Sequence, residues 1–85
     1  LENLVTMPTI INEDGFRVVI YMDDHLPPHV HVFKGNEEAK IDLGSEDKAP
    51  SLIETWMNKK NTKKAMKIVM YNQSLLLKSW REIHG

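Results

Sequence analysis

A proline pair lies in the middle of the most histidine-rich stretch of this chain and constrains how that stretch can fold. Pro27 and Pro28 are surrounded by three of the chain's four histidines, all within residues 25–31. Proline cannot donate a hydrogen bond to a neighbouring strand, and it holds the preceding residue in an extended conformation. The sequence therefore predicts a rigid connector over residues 24–28 that joins two strands and keeps the histidines close together.

Alternation of apolar and polar residues predicts antiparallel strands on both sides of this connector. The clearest strands cover residues 16–23, 29–34 and 38–43. In the second of these strands, His29 and His31 fall on one face, whereas Val30 and Val32 fall on the other. The two histidines are therefore expected to share an environment.

Shorter segments decide how many strands the sheet contains. Residues 9–11 form a short extended piece before an Asp-Gly turn, and residues 52–57 fit either a strand or a helical turn, of which we favour the strand. The outward side chains of the third strand, Glu38, Lys40 and Asp42, are expected to be solvated. The prediction is a meander of three or four antiparallel strands.

The C-terminal part of the chain predicts one long amphipathic helix that begins at Asn61 or Thr62 and ends near Ile83. Its apolar stripe is expected to pack on one face of the sheet and consists of Ala65, Ile68, Val69, Asn72, Leu75, Leu76, Trp80 and Ile83. Asn72 has three interpretations: a hydrogen-bonded buried amide, a break between two shorter helices, or a residue that reaches a functional site from the core. The predicted fold class is α+β.

Length and composition fit one small cytoplasmic domain. The 85 residues contain no cysteine, which is typical of a reducing compartment, and they contain no apolar run or leader that indicates a membrane or secretion. Residues 7–85 are expected to form the domain, and residues 1–6 an upstream extension or an artificial remnant. Because so small a domain buries little apolar surface, a homodimer is an open alternative.

Opposite charges are concentrated in the two parts of the chain. Residues 1–58 contain four basic and eleven acidic residues, whereas residues 59–85 contain seven basic residues and one acidic residue. A lysine cluster is expected at the helix start and consists of Lys59, Lys60, Lys63, Lys64 and Lys67. This cluster binds RNA phosphates, binds an acidic protein partner, or only keeps the exposed face of the helix soluble. Cations at a helix N-terminus oppose the helix dipole, which favours an acidic partner.

The histidine spacing is compatible with a divalent metal site. His29 and His31 are two residues apart on a strand, which places their imidazoles about 7 Å apart on one face. His25 or Asp23 can supply a third ligand from the connector, since both residue types bind zinc and related ions. The spacing matches no established zinc signature, so a metal is one of three interpretations.

General acid–base catalysis is the second interpretation, and a structural role is the third. Histidine titrates near neutral pH, and Arg17 or Tyr21 on the neighbouring strand can stabilise a developing negative charge. In a structural role, His25 and His29 cap and brace the connector through hydrogen bonds, while His31 stacks on the sheet surface beneath the helix.

Several short segments resemble one bacterial family. They are residues 7–10, 15–17, 24–32, 38–40 and 80–85. The most specific motifs are His-x-Pro-Pro-His-x-His-Val, which follows Asp24, and Trp-x-x-x-His-Gly, which contains His84. On these segments the chain is similar to the family known as domain of unknown function 4160. It departs from the family at Leu26, where many relatives carry a third proline, and in residues 52–60.

The resemblance implies a bacterial cytosolic domain that works with a small protein partner encoded nearby. Family members tend to be encoded beside a second small domain of unknown function, an arrangement similar to a toxin–antitoxin cassette. Action on RNA is the activity that this arrangement implies. The closing motif also adds His84 to the candidate functional residues.

Three functional hypotheses follow. The first is a toxin–antitoxin-like module that binds or cleaves RNA, with catalytic residues His25, His29, His31 and Arg17. The second is a non-catalytic regulatory module that binds a protein partner. The third is a small enzyme that uses a divalent metal held by the three histidines. Other candidate site residues are Tyr21, Asp24, Asn72 and His84.

Overall fold

Five antiparallel strands form one sheet in which neighbours in the chain are also neighbours in space. The strands are β1 (Thr9–Glu13), β2 (Phe16–Val19), β3 (His29–Lys34), β4 (Glu37–Asp42) and β5 (Ser51–Thr55). Two helices follow, α1 (Lys59–Tyr71) and α2 (Gln73–His84). This computed structural model describes residues 9–85, so the extension predicted at residues 1–6 lies outside the described residues.

The α+β class and the antiparallel meander are confirmed, whereas the predicted number of strands is wrong. The sheet has five strands because β1 pairs with β2 and β5 pairs with β4. β2 ends at Val19, earlier than predicted, because a turn begins at Tyr21. Asp24 closes this turn: its backbone N–H donates to the Tyr21 carbonyl at 3.2 Å, and its Oδ2 accepts from the Tyr21 N–H at 3.0 Å.

The edge strand β5 contains one residue that has no partner across the ladder. Glu54 pairs with Lys40 and Leu52 pairs with Ile41, so Ile53 between them is an extra residue. Such a β-bulge twists an edge strand and changes the direction of a side chain. Here the bulge places Ile53 beside Lys40 in the wall of a pocket that also contains the histidines.

The helices cover one face of the sheet. The sheet and the residues that directly follow its strands contribute Phe16, Val18, Ile20, Val30, Val32, Ala39, Ile41 and Leu43 to the resulting core. The helices contribute Ala65, Ile68, Val69, Leu76, Leu77 and Trp80. His29 and His31 alternate with the two core valines of β3 and share the opposite face, as predicted. This face points away from the helices, so the expectation that His31 lies beneath the helix is wrong.

The predicted single helix is in fact two helices. α1 begins earlier than predicted, because Asn58 caps it by accepting a hydrogen bond from the Asn61 N–H at 2.7 Å. The helix ends at Asn72, whose φ and ψ are −112° and 19° and whose Nδ2 donates to the Ile68 carbonyl at 2.7 Å. The helix break is therefore the correct interpretation of Asn72.

The break changes which residues of α2 face the core. Leu75, which was predicted to face it, is 48% exposed, whereas Leu77 is buried. Within residues 9–85, neither helix combines the length and the apolar character needed to cross a membrane.

Gln73 at the start of α2 holds the loop that follows β4. Its Nε2 lies 2.8–2.9 Å from three backbone carbonyl oxygens, which belong to Leu43, Ser45 and Lys48. An amide Nε2 carries two hydrogens, so the three acceptors share two donors. One side chain thereby ties this loop to the helix layer.

Candidate functional site

A pocket of about 400 Å³ lies beside the proline connector, at the end where β3 begins. It is lined by Asp23, Asp24, His25, Leu26, Pro27, His29, His31, Lys40 and Ile53. These residues come from the turn after β2, the connector, and strands β3, β4 and β5. We call this cavity the histidine pocket.

The Asp24 carboxylate is fixed through one oxygen and faces two imidazoles with the other. Its Oδ2 accepts the hydrogen bond from the Tyr21 N–H. Its Oδ1 lies 3.5 Å from His29 Nε2 and 3.3 Å from His31 Nε2. All three side chains are close to nine-tenths buried, with exposures of 12% for Asp24, 12% for His29 and 10% for His31.

Both imidazoles are oriented through their Nδ1 atoms. His29 Nδ1 lies 2.8 Å from the carbonyl oxygen of Pro27, which can only accept a hydrogen bond, so this Nδ1 is the donor. His31 Nδ1 lies 3.2 Å from Glu38 Oε2, which accepts in the same way when the carboxylate is ionised. Each neutral imidazole therefore presents the lone pair of its Nε2 to Asp24.

Three electron-rich atoms consequently converge on one point. Two unprotonated Nε2 atoms and a carboxylate oxygen repel one another unless a cation lies between them. That cation is either a proton, which makes one histidine an imidazolium paired with Asp24, or a metal ion. One ligand atom each from Asp24, His29 and His31 lies within 4.8 Å of the others, which is close enough for all three to bind a single ion.

Aromatic packing fixes the imidazole planes. The His31 ring is 4.7 Å from the Tyr21 ring and 5.2 Å from the His29 ring, measured between centroids. His29 in turn lies 5.6 Å from Trp80, which belongs to α2 and the core. Burial raises the pKa of Tyr21 above its ordinary value of 10.0, and the negative charges of Glu38 and Asp24 raise it further. Tyr21, whose ring lies against His31, therefore favours its neutral phenol form.

The structure brings together only some of the residues that the sequence singled out. His25 lines the histidine pocket but is exposed and is not part of the three-ligand group, in which Asp24 stands instead. Arg17 lies over the Phe33 ring at 5.1 Å and does not line the pocket.

Two further candidates do not line the histidine pocket, although His84 lines an adjoining cavity of about 610 Å³ together with Asp24 and His25. His84 stacks on Trp80 with a centroid distance of 3.8 Å, and its Nε2 is buried and has no hydrogen-bond partner among residues 9–85. Asn72 bonds within the helical segment.

Sequence reasoning missed Glu38 and Lys40. Both were expected on a solvated face of the third strand. That face is the one that carries His31, because Lys40 is directly opposite His31 in the ladder and Glu38 lies two residues away. The sequence signal was that His29 and His31 in one strand and Glu38 and Lys40 in the next all occupy alternate positions with the apolar core residues between them.

The predicted lysine cluster is divided between different surroundings. Lys59, Lys63 and Lys67 line a second groove that shares no residue with the histidine pocket. Lys64 instead forms an ion pair with Asp14, with its Nζ 2.9 Å from Oδ2, and this contact raises the pKa of Lys64 above 10.5. Lys60 is exposed. Of the five lysines, three therefore face the groove, one is paired with Asp14 and one is exposed to solvent.

Comparison with known proteins gives one family match. Residues 15–81 match the profile of a family described as "Domain of unknown function (DUF4160)". The matched segment includes Asp24, His29, His31 and Glu38, and it ends before His84. Neither the curated proteins nor the solved structures contain a significant match.

Proposed function

The chain belongs to the DUF4160 family, and from the geometry of its histidine pocket we propose that it is a metal-dependent hydrolase of phosphate esters, with RNA as the substrate. One observation carries this proposal. Asp24 Oδ1 and the Nε2 atoms of His29 and His31 converge, while each Nδ1 is already used by an outer acceptor. Metal-binding histidines in proteins almost always have such an outer partner on the second ring nitrogen.

The distances between the converging atoms fit a tetrahedral zinc site. Zinc–nitrogen and zinc–oxygen bonds of 2.0–2.1 Å place neighbouring ligands about 3.3 Å apart in a tetrahedron. The Asp24 oxygen is 3.3 Å from one imidazole nitrogen and 3.5 Å from the other. The two imidazole nitrogens lie within 4.8 Å of each other, so all three atoms can reach one ion, and zinc is the ion that we propose for this ligand set.

Three protein ligands are the number expected of a catalytic zinc site rather than a structural one. Such an ion keeps a fourth position open, where it supplies a Lewis acid and an activated water. In this chain Asp24 and the two histidines would hold the ion, and Glu38 would keep His31 in the required tautomer. The ligands face a pocket of about 400 Å³, which leaves room for a substrate group beside them.

Lys40 supports a phosphate ester as the substrate class. It lines the histidine pocket and is opposite His31 in the ladder, so both side chains project from the same face. Its ammonium group would attract a phosphate oxygen and stabilise charge that develops on it. RNA agrees with this chemistry and with the toxin–antitoxin-like role implied by the family resemblance.

The metal is tested first, by isothermal titration of chelator-treated protein with zinc and by metal analysis of protein purified without chelator. Wild-type protein is expected to bind one zinc ion per chain. Asp24→Asn, His29→Ala and His31→Ala should each abolish binding at this site. His25→Ala is the matched control, because His25 lines the same pocket but is not a ligand. A chain without zinc affinity, or a His25→Ala variant as weak as the ligand variants, contradicts the metal centre.

Activity is tested with fluorogenic single-stranded RNA in the presence and absence of zinc. Zinc-loaded wild-type protein is expected to cleave it, and Lys40→Ala should lower kcat while zinc affinity is retained. Cleavage of a generic phosphodiester but not of RNA would support the hydrolase activity and contradict RNA as the substrate. Zinc binding without cleavage of either substrate would leave a regulatory module with a structural metal.

Metal-free acid–base catalysis is the second candidate, and the same convergence of atoms favours it. If a proton is the cation, His29 or His31 is an imidazolium paired with Asp24 and acts as the acid, while the other imidazole is the base. RNA cleavage that persists in excess chelator and disappears in His29→Ala would select this mechanism. It requires no bound metal at any stage.

A further inference from the structure

A groove of about 860 Å³ runs along α1 next to β5. It is lined by Thr55, Met57, Lys59, Thr62, Lys63, Met66, Lys67 and Met70. The three lysines recur every four residues and form a row on one side, while the three methionines form most of the apolar surface. We call this feature the lysine–methionine groove.

The lysine row has no acidic partner within the part of the chain that the structure describes. No acidic side chain of residues 9–85 forms an ion pair with Lys59, Lys63 or Lys67, although the adjacent Lys64 is paired with Asp14. Lys59 lies in the first turn of α1, at the positive end of the helix dipole, and no acidic residue in that turn offsets its charge. A negatively charged ligand would offset the repulsion among the three lysines and the unfavourable interaction of Lys59 with the helix dipole.

The apolar part of the groove is adaptable and accessible. Met57 is buried, Met66 is half-buried and Met70 is 53% exposed, so the apolar surface extends from the core to the solvent. Methionine side chains are flexible and polarisable, and surfaces rich in them adapt to apolar side chains of a partner. From Lys59 to Met70 the helix is about 16 Å long, which matches about three turns of a second helix.

We propose that the lysine–methionine groove binds an acidic amphipathic helix of a partner protein. Apolar side chains of that helix would cover the methionines, and its carboxylates would face Lys59, Lys63 and Lys67. This mode of recognition places the apolar face of a helix in a hydrophobic groove and uses the charges at the rim for orientation.

Two other occupants fit the groove less well. Single-stranded RNA is usually bound by aromatic side chains together with cations, and the groove lining contains neither an aromatic residue nor arginine. A second copy of this chain, paired through a two-fold axis, would place one lysine row against another, because α1 has no acidic residue. An acidic partner of different sequence satisfies both the charge and the apolar surface.

The inference is tested by NMR of the full chain with labelled methionine methyl groups. The probe is a synthetic helical peptide of about four turns, with leucines along one face and glutamates beside them. A shuffled peptide of the same composition and a single-stranded RNA serve as comparison probes. We expect the helical peptide to shift the methyl signals of Met57, Met66 and Met70. The signal of Met22, which is 56% exposed but lies outside the groove, should not move.

Charge reversal tests the lysine row separately. Lys63→Glu combined with Lys67→Glu is expected to weaken peptide binding by at least about tenfold, because two attractive contacts become repulsive. Lys60→Glu combined with Lys78→Glu makes the same change in net charge outside the groove lining and should leave affinity within about twofold. Circular dichroism and thermal unfolding show that both double variants are folded.

Several results would overturn the inference. They are the absence of methyl shifts up to about 1 mM peptide, equal shifts with the shuffled peptide, stronger shifts with RNA, and equal losses of affinity in the two double variants. None of these measurements depends on catalysis, so failure here leaves the proposed hydrolase untouched.

Discussion

His31 and Glu38 are diagonal neighbours across the β3–β4 ladder, and His31 Nδ1 lies 3.2 Å from Glu38 Oε2. Glu38 is opposite Phe33 in the ladder, whereas His31 is opposite Lys40. The carboxylate therefore reaches sideways to the imidazole from an adjacent strand. This contact determines which nitrogen of His31 faces Asp24.

Glu38→Gln is expected to lower zinc affinity without removing a ligand. Glutamine keeps the shape of the side chain but loses the negative charge that holds the Nδ1 proton, and outer-shell changes of this kind typically cost about 10–100-fold in metal affinity. Isothermal titration measures the change. Glu37→Gln is the matched control, because Glu37 accepts bonds from Asn58 and Asn61 at the start of α1. Equal affinities in the two variants would show that Glu38 does not orient His31.

Zinc is expected to stabilise the fold through binding to the native state. At a free concentration about a hundred times the Kd, the free energy of unfolding should rise by about 2.7 kcal/mol relative to protein in chelator. Thermal unfolding of wild type, His31→Ala and His25→Ala measures this shift. The shift should vanish in His31→Ala and persist in His25→Ala. A zinc-induced shift that survives His31→Ala would place the ion elsewhere.

Tyr21 is expected to titrate above pH 10.0 in the metal-free protein, because burial and then the carboxylates of Glu38 and Asp24 disfavour its phenolate. Tyr71→Phe leaves Tyr21 as the one tyrosine, so phenolate absorbance reports on it alone. Adding Asp24→Asn should lower the pKa of Tyr21, since one negative charge is removed.

The raised pKa of Tyr21 also makes stability depend on pH. Because the folded-state pKa exceeds the unfolded one, the contribution of Tyr21 is complete below pH 10.0 and is lost as pH rises through the folded-state value. Tyr21→Phe should remove this part of the alkaline loss in urea unfolding. A Tyr21 pKa at or below 10.0 contradicts the partly buried position of its ring beside Glu38 and Asp24.

Gln73→Ala is expected to destabilise the protein by about 0.5–1.5 kcal/mol, because the loop loses the hydrogen bonds that tie it to the helix layer. The affected carbonyls belong to Leu43, Ser45 and Lys48 in the loop that Gln73 holds. Urea unfolding gives the change in the free energy of unfolding. Ser74→Ala, at the exposed next position, should change it by less than about 0.5 kcal/mol. Similar losses in both variants would mean that the loop does not need this anchor.

Local patterns predicted the fold where one periodicity dominated. Alternation placed His29 and His31 opposite the core valines of β3 correctly, since the period of a strand leaves few alternatives. The helix was harder, because Asn72 satisfies its amide within its own turn and breaks an apolar stripe that looks continuous. As a result Leu77 is buried and Leu75 is exposed, which the residue spacing alone does not predict.

The candidate site was predicted only where strand alternation determines it. The shared face of His29 and His31 follows from alternation, whereas the choice of Asp24 over His25 depends on a turn in which the Tyr21 N–H holds one carboxylate oxygen. Glu38 joins the site through strand register. Register and turn geometry are tertiary properties, so composition and spacing carry little information about them.

The bulge in β5 has a consequence for anyone who redesigns this protein. Ile53 is the residue without a ladder partner, yet it forms part of the wall of the histidine pocket, while Thr55 two positions later belongs to the lysine–methionine groove. Deleting Ile53 would give a regular edge and would open the pocket beside Lys40 to water. The irregularity in this edge strand allows a segment of five residues to contribute side chains to the walls of two separate cavities.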